Sequence, residues 1–125
     1  MSQIKNINNE LYIYKYIIHY ARVYNYNDET YKWRPVIPIK KVYNSWVVIP
    51  LFTEKEKHDK MKNYFLLDNF SDENIYIDLS RIDKIWCNRK NFDKYPIRDK
   101  NNNWIKLKKS TINLIKAKQI EYIYN

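Results

Sequence analysis

Apolar and polar positions alternate over 75–79, the two-residue period of a half-buried strand, and elsewhere short strand-like runs lie between turn-forming residues. Residues 36–42 lie between Pro35 and Asn44, and 46–51 follow at once, so the pair predicts a hairpin. The run 64–67 is short and apolar, and predicts a strand. Residues 74–85 open with Ile75, Ile77 and Leu79 on one side and Tyr76 and Asp78 on the other, and predict one strand; 104–107 predict a last one. Near the start, Tyr12, Tyr14, Tyr16, Tyr20, Tyr24 and Tyr26 all fall on even positions, which favours a long or bent strand over about 16–24. Ile4, Ile7, Leu11 and Tyr14 also fit a helical stripe, so a short leading helix stays open as an alternative. Toward the end Ser110 offers a helix cap, and Ile112, Ile115, Gln119, Tyr122 and Ile123 share one helical face. Strands first and a helix last predict an α+β fold, mainly β: a small, strongly bent antiparallel sheet or barrel with a C-terminal helix packed on it. No repeat, linker or break in composition divides residues 1–125, so a single domain is expected.

The 125 residues include no glycine. Turns must then use Asn and Asp, and the candidates are 25–28, 44–45, 68–72 and 101–103. The same fact excludes glycine loops that cradle phosphates, Rossmann turns and nucleophile elbows. Cys87 is the only cysteine, which excludes an internal disulfide, and two histidines leave too few ligands for a structural zinc site. No cofactor and no metal are expected. The longest apolar run, 46–52, is too short to cross a bilayer and is interrupted by Pro50, while residues 2–9 lack the apolar centre of a signal peptide. A soluble, cytoplasmic chain with no membrane partner is the expectation.

The net charge is +9, from 23 Lys and Arg against 14 Asp and Glu, which suggests a polyanionic partner. A second account is open. Ile, Lys, Asn and Tyr have codons rich in A and T and make up more than half the chain, and Lys outnumbers Arg 18 to 5. Genome bias alone would give such a surplus. Lys108, Lys109, Lys116 and Lys118 cluster in the helical region, where a helix dipole favours late positive charge without any partner.

Three stretches carry candidate chemistry. In Tyr31-Lys32-Trp33-Arg34-Pro35, proline biases Arg34 toward an extended backbone, so a guanidinium can project where a turn-rich stretch enters a strand. The plain reading is a surface arginine. In 50–63 an apolar strand runs into Thr53 and then a charged stretch with Lys55, Lys57, His58, Lys60 and Lys62. A rigid strand end aims residues carried on the following loop, although such a stretch is also what an ordinary solvated connection looks like. In 78–83, Asp78, Arg81 and Asp83 have the signs of a local ion-pair network.

Together these stretches resemble the PemK/MazF and ToxN/AbiQ superfamily of toxin endoribonucleases. Arg34-Pro35 leading a strand and Ile49-Pro50-Leu51 ending the next resemble the superfamily's first half, Asp78-Leu79-Ser80-Arg81-Ile82 is similar to a MazF-type segment, and 114–118 to the closing helix of some MazF members. The run from Pro50 to Asn63 is closer to the ToxN/AbiQ branch, in which a Pro-Leu-hydroxyl-hydroxyl-x-Lys stretch precedes Lys-His and Lys-Met-Lys-Asn. Phe52 stands at the first hydroxyl position, leaving Thr53 and Lys55 to match the second hydroxyl and the lysine.

The resemblance implies an SH3-like barrel of the MazF/CcdB/ToxN type and metal-independent cleavage of single-stranded RNA, leaving a 2′,3′-cyclic phosphate. In that reading Lys55 and Arg34 offset phosphoryl charge, Thr53 donates to phosphate, Tyr31 positions or protonates an oxygen, and His58 shuttles a proton or only contacts phosphate. Trp33 and Phe52 would stack bases, with Lys57, Lys60, Lys62 and Arg81 on the RNA backbone. Trp46 and Phe65, inside strand-like runs, read as core. The implied partners are substrate RNA and a cognate antitoxin, with a repeated RNA favoured over a small acidic protein; assembly with antitoxin or with itself stays open. The alternative is a non-catalytic module of the same fold that binds RNA or protein, as CcdB-like gyrase poisons do.

Overall fold

The computed structural model describes residues 10–25, 28–53, 64–67, 75–78 and 81–124, with the backbone alone of 64–67 and 119–124. Among these are six strands and one helix: β1 (His19–Asn25), β2 (Thr30–Val42), β3 (Ser45–Thr53), β4 (Tyr64–Leu67), β5 (Ile75–Asp78), β6 (Asp83–Trp86) and α1 (Lys109–Tyr124). Every strand pairing is antiparallel, and the order is β1-β2-β3-β5-β4, with β6 also on β3. The fold is mainly β with one C-terminal helix.

β3 is the centre of the sheet. β2 lies along one edge of it, and the other edge is shared: β6 pairs with Ser45 to Val48 and β5 with Leu51 to Thr53. Both faces of β3 are covered, which is why its sequence is almost continuously apolar. Ile49 and Leu51 join Ile18, Ile37, Ile39, Ile75, Ile77 and Ile115 of the helix in one core cluster. The alternate residues Trp46 and Val48 join Ala21, Val23, Val36, Ile85 and Phe92 in a second. Cys87, a free thiol, packs against that second cluster. The chain after β6 returns along β1, where Arg22 N donates to Asn91 O and Ile97 N to Ile18 O.

Several expectations change at this level. The predicted strand over 74–85 is two, because β3 changes partner across Ile49–Pro50 and Pro50 has no N–H to extend a ladder. The stretch 104–107 is not a strand. Ile18 N donates to Ile105 O and Leu107 N to Tyr16 O, but Tyr16 is left-handed (φ 64°), and only isolated bridges form. The same residue delays β1 to His19. Leu11 and Tyr14 lie in chain that is not helical, and residues 1–9 lie outside the described ones. β2 starts at Thr30 rather than Val36, because pairing with β1 from Asn25↔Thr30 onward holds its first residues extended. The helix starts at Lys109, with Ile112 N bonded to Lys108 O, so Lys108 and not Ser110 stands at the cap. Of the predicted helical face, Ile115 is buried and Ile112 half-buried; the side chains of Gln119, Tyr122 and Ile123 lie outside the described ones.

Turns solve the missing glycine in an unexpected way. Among the described residues, left-handed backbone falls on Tyr16, Glu29, Tyr43 and Asn102, only one of which is an asparagine. The hairpin of β2 and β3 closes at Val42↔Ser45, so its turn residues are Tyr43 and Asn44, one position earlier than predicted. The predicted turn at 101–103 is present, and the Asp99 carboxylate just before it accepts from Asn101 N at 2.9 Å and Asn103 N at 3.0 Å. The candidate turn 68–72 lies outside the described residues.

Candidate functional site

Arg34 comes from the N-terminal half of β2, Phe52 from the end of β3 and Arg81 from the segment leading into β6. Continuing the β2–β3 register beyond Val36↔Pro50 sets Arg34 opposite Phe52. Its guanidinium carbon lies 4.9 Å from the Phe52 ring centroid, and Nη1 donates to Leu51 O at 3.3 Å. The guanidinium carbon of Arg81 lies 5.3 Å from the same ring, and its Nη2 donates to Tyr24 O at 2.7 Å. Two arginines distant in sequence therefore share one aromatic ring. Such contacts are worth about 0.5–2 kcal/mol each, more as water is removed.

Water is largely removed here. Arg34 is only 6% exposed, so it is not the surface arginine of the plain reading. Asp83 Oδ2 lies 3.4 Å from Arg81 Nε, and the ion pair expected in this stretch is present. Burial pushes the Asp83 carboxyl above its usual range, while the charges of Arg81 and then Arg34 pull the other way. Asp78, also buried, accepts from Arg81 N through its backbone oxygen at 3.0 Å. The arrangement holds two guanidinium groups against one ring, with the Asp83 carboxylate beside Arg81.

Alternation decides where the other predicted residues go. Along β2 it turns Tyr31 and Trp33 to the face opposite Arg34. There they meet the outward residues of β1, through the pairs Arg22↔Trp33 and Tyr24↔Tyr31. Arg22 lies over the Tyr31 ring at 4.3 Å, Trp33 stacks on Tyr20 at 5.7 Å, and Tyr24 meets Tyr31 edge-on at 5.3 Å. Tyr31 is 58% exposed and Trp33 also exposed. On β3, Phe52 rather than Thr53 faces Arg34; Thr53 is half-buried and opposite Ile75 of β5. Phe52 itself is buried, and the cations against it occupy what a stacked base would use. Lys55, Lys57, His58, Lys60 and Lys62 lie outside the described residues. Of Phe65 only the backbone is described, whereas Trp46 is core as expected.

Sequence reasoning missed the outward row Tyr20, Arg22 and Tyr24 and, across from it, Lys84 and Trp86. The signal was present in the even-numbered tyrosines, which do mark one face of β1. Their pairing with β2 was not readable from one strand. Among the described residues no group of three His, Cys, Asp or Glu could hold a metal ion, and no helix is long and apolar enough to cross a membrane. No family model matches the sequence, and no curated protein matches it.

Proposed function

We propose that the chain is an endoribonuclease toxin of a toxin–antitoxin or phage-defence system, cutting single-stranded RNA without a metal. The observation that carries this reading is the meeting of Arg34 and Arg81 on Phe52, beside the strand end that leads into the Lys55 and His58 stretch. The chemistry is attack of the 2′-hydroxyl on the adjacent phosphorus, with departure of the 5′ oxygen. It requires cations that stay charged next to the phosphoryl oxygens, and guanidinium groups stay charged even when poorly solvated. In this proposal Arg34 and Arg81 grip the phosphate, Thr53 and Lys55 complete its shell, and His58 moves the proton. Tyr31 and Trp33, on the outer face, serve the strand leading to that phosphate rather than the reacting atoms. The fold would be a barrel of the MazF/CcdB/ToxN type, and the restraining partner an antitoxin, with a repeated RNA favoured by the net charge of +9.

One second reading has an observation of its own. Phe52 stands where a hydroxyl is expected and Arg34 is nearly covered, which favours a non-catalytic module that binds RNA or protein through its outer aromatic face. Incubation of the purified protein with mixed RNA in EDTA separates the two. Fragments ending in 2′,3′-cyclic phosphate support the enzyme, and intact RNA supports the binder.

A further inference from the structure

Between β1 and β6 lies a cleft of about 380 Å³, within the size range of small-ligand pockets. Arg22, Tyr24 and Tyr31 line one side of it, and Asp83, Lys84 and Trp86 the other. Lys84 and Trp86 are exposed on one face of β6, two residues apart, and Trp86 is 64% exposed although it is a large aromatic. Arg22 is exposed on β1 and lies over Tyr31. Burial explains none of these four placements. An exposed tryptophan, an Arg–Tyr stack and a lysine lining one cleft are the parts from which single-strand sites are made: flat faces for bases and cations for the backbone.

We propose that this cleft is a binding subsite for one unpaired nucleotide of an RNA strand, separate from the Arg34–Arg81 pair. The base enters between Trp86 and the Arg22–Tyr31 stack, and Lys84 and Arg22 meet the flanking phosphates at the rim. Asp83, the only acid among the described lining residues, disfavours phosphate inside the cleft and so sets the orientation with the base inward. Asp83 also pairs with Arg81, which places the subsite next to the proposed scissile phosphate. The inference deepens the endoribonuclease reading and rests on it for the identity of the ligand.

The test uses a fluorescent 2′-O-methyl RNA pentanucleotide, which cannot be cut by 2′-hydroxyl attack, titrated against the intact chain by anisotropy. Trp86→Ala is expected to weaken binding about 5- to 150-fold, the range for one lost base stack, with the thermal midpoint unchanged because the side chain is solvated. Lys84→Ala is expected to reduce the slope of log K against log salt by about 0.7. If both variants bind as the parent does, or if the parent does not bind the pentanucleotide, the subsite is overturned. Cleavage of unmodified RNA by the parent is scored separately. Cleavage with unchanged binding in both variants removes this inference alone, and weakened binding without cleavage removes only the enzymatic reading.

Discussion

Arg34 is a permanent cation with almost no water around it, and Phe52, Leu51 O and Arg81 together determine what its replacement does. Lysine keeps the charge but loses the planar fork and the fit over the ring. Arg34→Lys is therefore expected to fold and to cleave RNA about a hundredfold more slowly, measured as single-turnover rate beside thermal unfolding. Retained rate would remove Arg34 from the site. His19 behaves differently. It is fully buried, its Nε2 lies 2.6 Å from Asp93 O, and Nδ1 has no hydrogen-bond partner among the described residues. Burial lowers its pKa from 6.5, against the pull of the Asp93 carbonyl. The unfolded chain then binds the proton first, so stability is complete above about pH 6.5 and falls as acid is added, by at most about 1.4 kcal/mol per pH unit. Urea unfolding at pH 7.5 and 5.5 measures this, and His19→Gln is expected to flatten the dependence. Asp83 has the opposite sign: with its pKa raised from 3.8, its contribution is present in acid and lost as pH rises through the folded value.

At the scale of elements, the hairpin joining β2 and β3 gives the sharpest test. Tyr43 is 93% exposed and packs on nothing large, yet it takes φ 53° at the first turn position. A left-handed bulky residue costs roughly 1–2 kcal/mol, more than glycine loses in unfolded-chain entropy. Tyr43→Gly is thus expected to stabilise the fold by about 0.5–1 kcal/mol, read from denaturant midpoints. The hairpin itself was legible because 36–42 and 46–51 are strand-like segments set off by Pro35 and the Asn44 turn. The division between β5 and β6 was not, since nothing within 74–85 reports that β3 changes partner at Pro50. For the same reason Arg34 and Arg81 could be named singly, but their common seat on Phe52 depends on a register between strands. The Lys108–Lys109 pair shows the limit of charge reading. It stands at the start of α1, where the dipole disfavours cations, so helix stability does not account for it.

For the whole molecule, the surplus of positive charge and the face formed by Tyr20, Arg22, Tyr31 and Trp33 point the same way. Each phosphate neutralised on a single strand should contribute about 0.7 to the salt slope of binding, and a partner held by apolar contacts would give almost none. That slope reports phosphate contact but not chemistry. The central claim is that an RNA 2′-hydroxyl, and no metal-bound water, cuts the phosphodiester held by the arginine pair. Its most direct test compares two RNA oligonucleotides in EDTA, identical except for one 2′-deoxy sugar immediately 5′ of the mapped scissile bond. The account predicts cleavage of the first at that bond, with a cyclic phosphate end, and none of the second there. Cleavage of the deoxy linkage, or survival of both strands intact, would contradict it.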